Sequence, residues 1–220
     1  MAFDKLWPLL LQGAADTVYM TLWASLFSYA LGLPLGVLLV VTRRGHILPA
    51  PTFNTVLGWA INFLRSIPFI ILLAMLFPIT RAVMGRAIGT RAIIFPLIVS
   101  AFPYIARMVE GSLDEIDHGV LEAAQSMGST NWQIIRKVLL PEAVPSLING
   151  AAISVTTILA YTAMASAAGG GGLGALAITK GYQQQNMEIL YASSLALVLL
   201  VQLITVSGTR FTKWFDHRKK

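Results

Sequence analysis

Between Glu142 and Lys180 the chain runs 37 residues without a charged side chain, and a second charge-free run of 25 residues extends from Thr17 to Val41. A helix that crosses the hydrocarbon core of a bilayer needs about 20 mostly apolar residues. Inside lipid every backbone N–H and C=O must find its partner within the protein, which leaves helices and closed barrels as the spanning structures. Runs this long point to a polytopic helical membrane protein. Composition agrees: of 220 residues 56% are hydrophobic and 12% are charged, against about 25% charged in soluble domains.

Five segments qualify as spans. They are Thr17 to Val41, Thr52 to Thr80 with Arg65 inside it, Ala92 to Ala106, the run after Glu142 to about Ala168, and Ile189 to Thr209. The third holds 15 uncharged residues and becomes long enough only if Arg91 or Arg107 snorkels and the helix continues toward Val109. The first run is too long for the core of a signal peptide and reads as a retained span. The expected fold is all-α, with about five transmembrane helices in one domain over residues 1–220.

Lysine and arginine near span ends set orientation. With the N-terminus outside, one side collects Arg43, Arg44, Arg107, Arg136, Lys137, Arg210, Lys213, Arg218, Lys219 and Lys220, ten residues. The other side collects five: Lys5, Arg81, Arg86, Arg91 and Lys180. The expectation is N-terminus outside and C-terminus inside, with Arg81, Arg86 and Arg91 as exceptions to the bias. The net charge of +6 is scattered among apolar runs rather than gathered in an aromatic-interleaved patch, which argues against nucleic acid. There is no cysteine. His46, His118 and His217 lie far apart, so no metal site and no catalytic constellation is expected.

The long polar stretch, residues 110–142, holds six of the ten acidic residues: Glu110, Asp114, Glu115, Asp117, Glu122 and Glu142. Asp117 is placed to cap a helix from His118 to Met127. Gly128 follows where a left-handed residue ends a helix, and Thr130 with Gln133 spells a capping box for a second helix. Beside Glu122, the small Ala123 and Ala124 allow close docking to another surface.

Glu122-Ala123-Ala124, Gly128 four residues later, and Val138-Leu139-Leu140-Pro141 after nine more resemble the EAA loop of bacterial ABC importer permeases, with Val138 in place of the usual Ile. Asn62 to Leu72, Ile105 to Glu110, Ile134 to Ala143 and Gly171 to Gly174 resemble, within that family, the methionine-uptake type. The resemblance runs from about Thr17 to Arg210 and weakens after Gly174, at Lys180 to Asn186. It implies a bacterial inner-membrane subunit without catalytic residues, present in two copies, with no cofactor of its own. Two ATPase subunits would bind ATP and Mg and dock on the 110–142 loop. An extracytoplasmic binding protein would deliver the substrate. The coupling residues it implies are Glu122, Ala123, Ala124, Met127, Gly128 and Pro141. An importer for another amino acid or small solute is the near alternative. An ion-coupled secondary transporter is the distant one, because such proteins place ionisable residues at mid-membrane.

Three features carry two readings each. Arg65, the charge inside a hydrophobic segment, is either a pathway residue or an anchor where two shorter segments meet at Ser66-Ile67-Pro68. Gly169 to Gly174 satisfies G-x-G-x-x-G, but no strand precedes it, so close helix packing or a re-entrant turn is expected rather than a dinucleotide site. Met164, among small residues, is either a plug in the translocation path or packing filler.

Overall fold

The computed structural model describes residues 3–215, with side chains described for 6–211 except 167–168. His217, Arg218, Lys219 and Lys220, which entered the charge and histidine readings, lie outside the described residues. So do the side chains of Lys5 and Lys213. Among the described residues the elements are helical throughout: α1 (Phe3–Val41), α2 (Pro51–Ser66), α3 (Phe69–Met75), α4 (Phe77–Met84), α5 (Thr90–Asp114), α6 (His118–Ser126), α7 (Asn131–Ile134), α8 (Leu140–Met164), α9 (Leu173–Ala175) and α10 (Met187–Phe215). A π-helical stretch, Ile135–Leu139, makes α7 and α8 one continuous rod, and a second, Leu176–Tyr182, follows α9.

Four helices are long and apolar enough to cross a membrane, and α2 with α3 forms a fifth, broken span bent by 98°. The second expected span is therefore not one helix. Pro68 is the cause. The residue before a proline is pushed out of the helical region, and Ile67 is extended at φ −83° and ψ 120°. The third span meets its condition: α5 has 25 residues, carries both Arg91 and Arg107 within it and runs past Val109. The fourth begins well before Glu142, because the rod from Asn131 to Met164 is 34 residues long.

The core is the α1–α5 pair. Ile93, Leu97, Ala101, Ile105, Val109 and Leu113 recur every four residues along α5, each no more than 2% exposed. On α1, Met20, Ala24, Ser28 and Val40 follow the same spacing and are no more than 2% exposed, with Gly32 and Gly36 filling the series. Ridges of residues four apart interlock when two helices pack. The glycines let the backbones touch: a Cβ at Gly32 would lie 2.7 Å from Ile105 Cγ2, and one at Gly36 2.6 Å from the Ala106 carbonyl oxygen. Small residues of this kind drive helix association in lipid, where apolar side chains gain nothing by leaving one apolar medium for another. At the periphery, α10 buries only 11% of its apolar window, against 56% for α5.

Candidate functional site

The 110–142 loop folds as a capped hairpin. Asp117 accepts a hydrogen bond from the Gly119 N–H at 2.6 Å and starts α6. The helix ends at Ser126, one residue short of the expected Met127. Gly128 has φ +77°, a left-handed conformation that costs an L side chain roughly 1–2 kcal/mol. It lets the Ser129 N–H reach back to the Ala124 carbonyl at 3.1 Å. Thr130 and Gln133 close the capping box, at 2.8 Å from the Thr130 N–H to Gln133 Oε1 and 3.3 Å from the Gln133 N–H to Thr130 Oγ1.

The two alanines of the loop separate. Leu121 and Ala124 are 7% and 8% exposed and join the main core. Glu122 and Ala123 are exposed, and Met127 is 84% exposed. The outward side of the loop therefore carries Glu122, Ala123 and Met127, whereas Ala124 packs inward beside Leu121. Pro141 sits in the first turn of α8, within the continuous rod. Proline has no N–H and crowds the carbonyl four residues back. The π-helical stretch before it, where the Leu140 N–H bonds to Ile135 oxygen, widens the rod at this point.

A charge cluster ties together the ends of the spans from which this loop leaves, and sequence reasoning missed it. Glu110 is 7% exposed. It accepts from Arg43 and, at 2.7 Å, from Arg107. Arg43 also reaches Asp114 at 2.8 Å, and Arg107 donates to the Gly58 carbonyl at 2.9 Å. The end of α1, α2 and α5 thus share one network. Burial works against the Arg43 charge, but the Glu110 and Asp114 carboxylates outweigh it and hold the guanidinium above its ordinary pKa. Beside it His46 is lowered, first by burial and then by His118 and Arg43, and its Nδ1 is buried without a partner. Only the Arg107–Glu110 pair, three residues apart, had a signal in the sequence. Arg43 and Asp114, 71 residues apart, had none.

At the opposite end Met164 closes α8 and is 47% exposed. It lines a cleft of about 460 Å³ with Ile70, Ala163, Ile178 and Leu190. The glycine run packs between α1 and α8. The Leu173 N–H donates to Thr17 Oγ1 at 2.9 Å, and a Cβ at Gly174 would lie 2.3 Å from Ala163 Cα. Arg65 ends α2 at the bend, exposed, its guanidinium carbon 6.0 Å from the centre of the Tyr104 ring. A cation in the last turn is favoured by the helix dipole. Among the described residues no group of three or more His, Cys, Asp or Glu could hold a metal ion.

Three comparisons match this arrangement. A permease relative from Pasteurella multocida, described as a probable D-methionine transport system permease protein, MetI, is 45% identical over 97% of this chain and 99% of its own length. Its counterpart from Vibrio cholerae is 43% identical, over 96% and 93%. A chain in a solved structure of inward facing conformations of the MetNI methionine ABC transporter superposes with a TM-score of 0.96 at 44% identity, covering 99% of this chain and 100% of that one. The family model described as binding-protein-dependent transport system inner membrane component matches residues 32–220. With that match over most of the chain, on a fold of bundled spans with a capped loop at one end, the chain belongs to the family of inner membrane components of binding-protein-dependent transport systems.

Proposed function

We propose that this chain is the permease subunit of an ATP-driven methionine importer. Two copies form the path, and each docks one ATPase subunit through the Glu122, Ala123 and Met127 face of the 110–142 loop. The observation that carries the reading is full-length similarity to permeases described as D-methionine transporters, at 45% identity. The exposed loop face supplies a rigid surface for an ATPase. The ATPase subunits bind ATP and Mg and do the hydrolysis; the permease contributes no catalytic group. An extracytoplasmic binding protein delivers the substrate on the side of the glycine run. ATP binding then shifts the permease between its open states by favouring one of them. Charge bias supports a bacterial inner-membrane orientation with the N-terminus outside and the loop in the cytoplasm.

The test is uptake by the permease reconstituted with its ATPase and binding protein. Methionine uptake that requires ATP and the binding protein is expected. Uptake of another solute with none of methionine reassigns the substrate. For orientation, a cysteine at Ser129 is expected to resist an impermeant thiol reagent in intact cells and one at Arg86 to react; the reverse pattern overturns the topology.

A further inference from the structure

On the loop side of the molecule, a cavity of about 650 Å³ opens between the end of α1 and the start of α2, lined by Arg43, Arg44, Thr52, Asn54, Thr55 and Val56. Its charge is positive on balance. Arg43 is pinned by Glu110 and Asp114, and Arg107 by Glu110. Arg44 is exposed and has no ion-pair partner among the described residues. The first turn of α2 adds to it. Pro51 has no N–H and the Asn54 N–H is spent on the Ala50 carbonyl at 2.9 Å, which leaves the Thr52 and Phe53 amides pointing out of a helix N-terminus that favours anions. Asn54 is tied down through its side-chain amide to the Leu39 carbonyl at 2.6 Å, so the cavity wall is fixed.

From this cavity an apolar stripe leads away along α2. Phe53, Val56, Trp59 and Phe63 are 50%, 64%, 71% and 57% exposed, and the last two rings stack at 5.8 Å. The apolar part of α1 ends at Val41 and the arginines follow directly, which marks the boundary between hydrocarbon and water. A cationic cavity at that depth, continuous with an apolar stripe, matches an amphiphile with an anionic head and acyl tails. We infer that the cavity binds an anionic phospholipid of the leaflet on the loop side, its phosphate at Arg44 and the α2 N-terminus and its tails along Val56, Trp59 and Phe63. Basic pockets at this depth recognise lipid head groups. The inference stands apart from the substrate assignment and does not depend on methionine.

The experiment is native mass spectrometry of the permease in complex with its ATPase, titrated with phosphatidylglycerol or phosphatidylcholine. Tighter binding of phosphatidylglycerol is expected, weakened about fivefold by Arg44→Ala and about thirtyfold by Arg44→Glu. Arg44 holds up nothing in the fold, so both variants assemble. Trp59→Ala is expected to weaken both lipids, since it removes tail contact without touching the charge. Equal affinity for the two lipids, or no change on Arg44→Glu, overturns the inference. Glycerol phosphate displacing the lipid at equal concentration makes the ligand a free anion and also overturns it. Phosphatidylglycerol binding to the permease alone but not to the complex assigns the cavity to the ATPase instead.

Discussion

At the loop end of the molecule α1, α2 and α5 are joined by charge, through Arg43, Glu110, Arg107 and Asp114. At the glycine end α1, α8 and α9 are joined by fit, with the Gly174 backbone against Ala163 and the Leu173 N–H on Thr17. The two joints respond differently to displacement. A buried carboxylate held by two guanidiniums cannot be drawn apart without leaving desolvated charge behind. The glycine joint holds no charge, so sliding it loses contact and one neutral hydrogen bond, a smaller penalty. The loop end thus resists displacement more than the glycine end, where Met164 lines an open cleft, and the two lie at opposite ends of the same helices.

The contrast is broken most severely by Glu110→Gln, which leaves two guanidiniums facing a neutral amide. Removing one partner of a buried pair costs about 3–5 kcal/mol. Arg43, with its side chain 39% exposed, recovers part of this from water, so a loss of about 2–4 kcal/mol is expected. Thermal unfolding of the purified complex measures it; an unchanged Tm means the cluster does not hold the span ends together. At the other end Gly174→Leu forces a side chain against the Ala163 backbone. A loss of about 1–3 kcal/mol is expected, with the 110–142 loop still docking its ATPase. Loss of ATPase co-purification in this variant shows that the ends are not separable.

Much of the fold was legible because lipid demands long apolar runs and proline acts locally. The break at Ser66-Ile67-Pro68 could be read directly, and so could the caps at Asp117, Gly128 and Thr130, since each depends on residues within about four positions. What could not be read depends on distant partners. The four-residue ridges of α1 and α5, including Gly32 and Gly36, have meaning only once the helices are paired. Arg43 was counted as a topology marker, and its carboxylates lie far along the chain. Ala123 and Ala124 are identical in type, and only the packing of Leu121 decides which of them faces out.

That last point sharpens the contrast within the loop itself. Ala124→Trp inserts a large ring into a core position and is expected to destabilise the permease by about 1–3 kcal/mol. Ala123→Trp, on the exposed face, is expected to change stability by no more than about 0.5 kcal/mol while weakening ATPase co-purification. If the two variants behave alike in both measurements, α6 does not present the face described here.

The smallest effect expected is that of pH at His46. Its pKa is lowered in the folded chain from the ordinary 6.5, because the neutral ring is favoured by burial and by the positive groups around it. Arg43 and His118 repel a proton there, while Asp114 attracts one, and Arg44 lies with His46 and His118 around one small cavity. As pH falls below about 6.5 the unfolded chain takes up the proton first, so unfolding becomes more favourable. The stability that His46 lends is full above that value. It declines as pH drops toward the folded pKa and stays flat below it. Tm measured from pH 8 to pH 5 is therefore expected to fall more steeply in the wild type than in His46→Gln, which cannot take up a proton there. A His46→Gln variant whose Tm falls as steeply as the wild type places the pH sensitivity elsewhere.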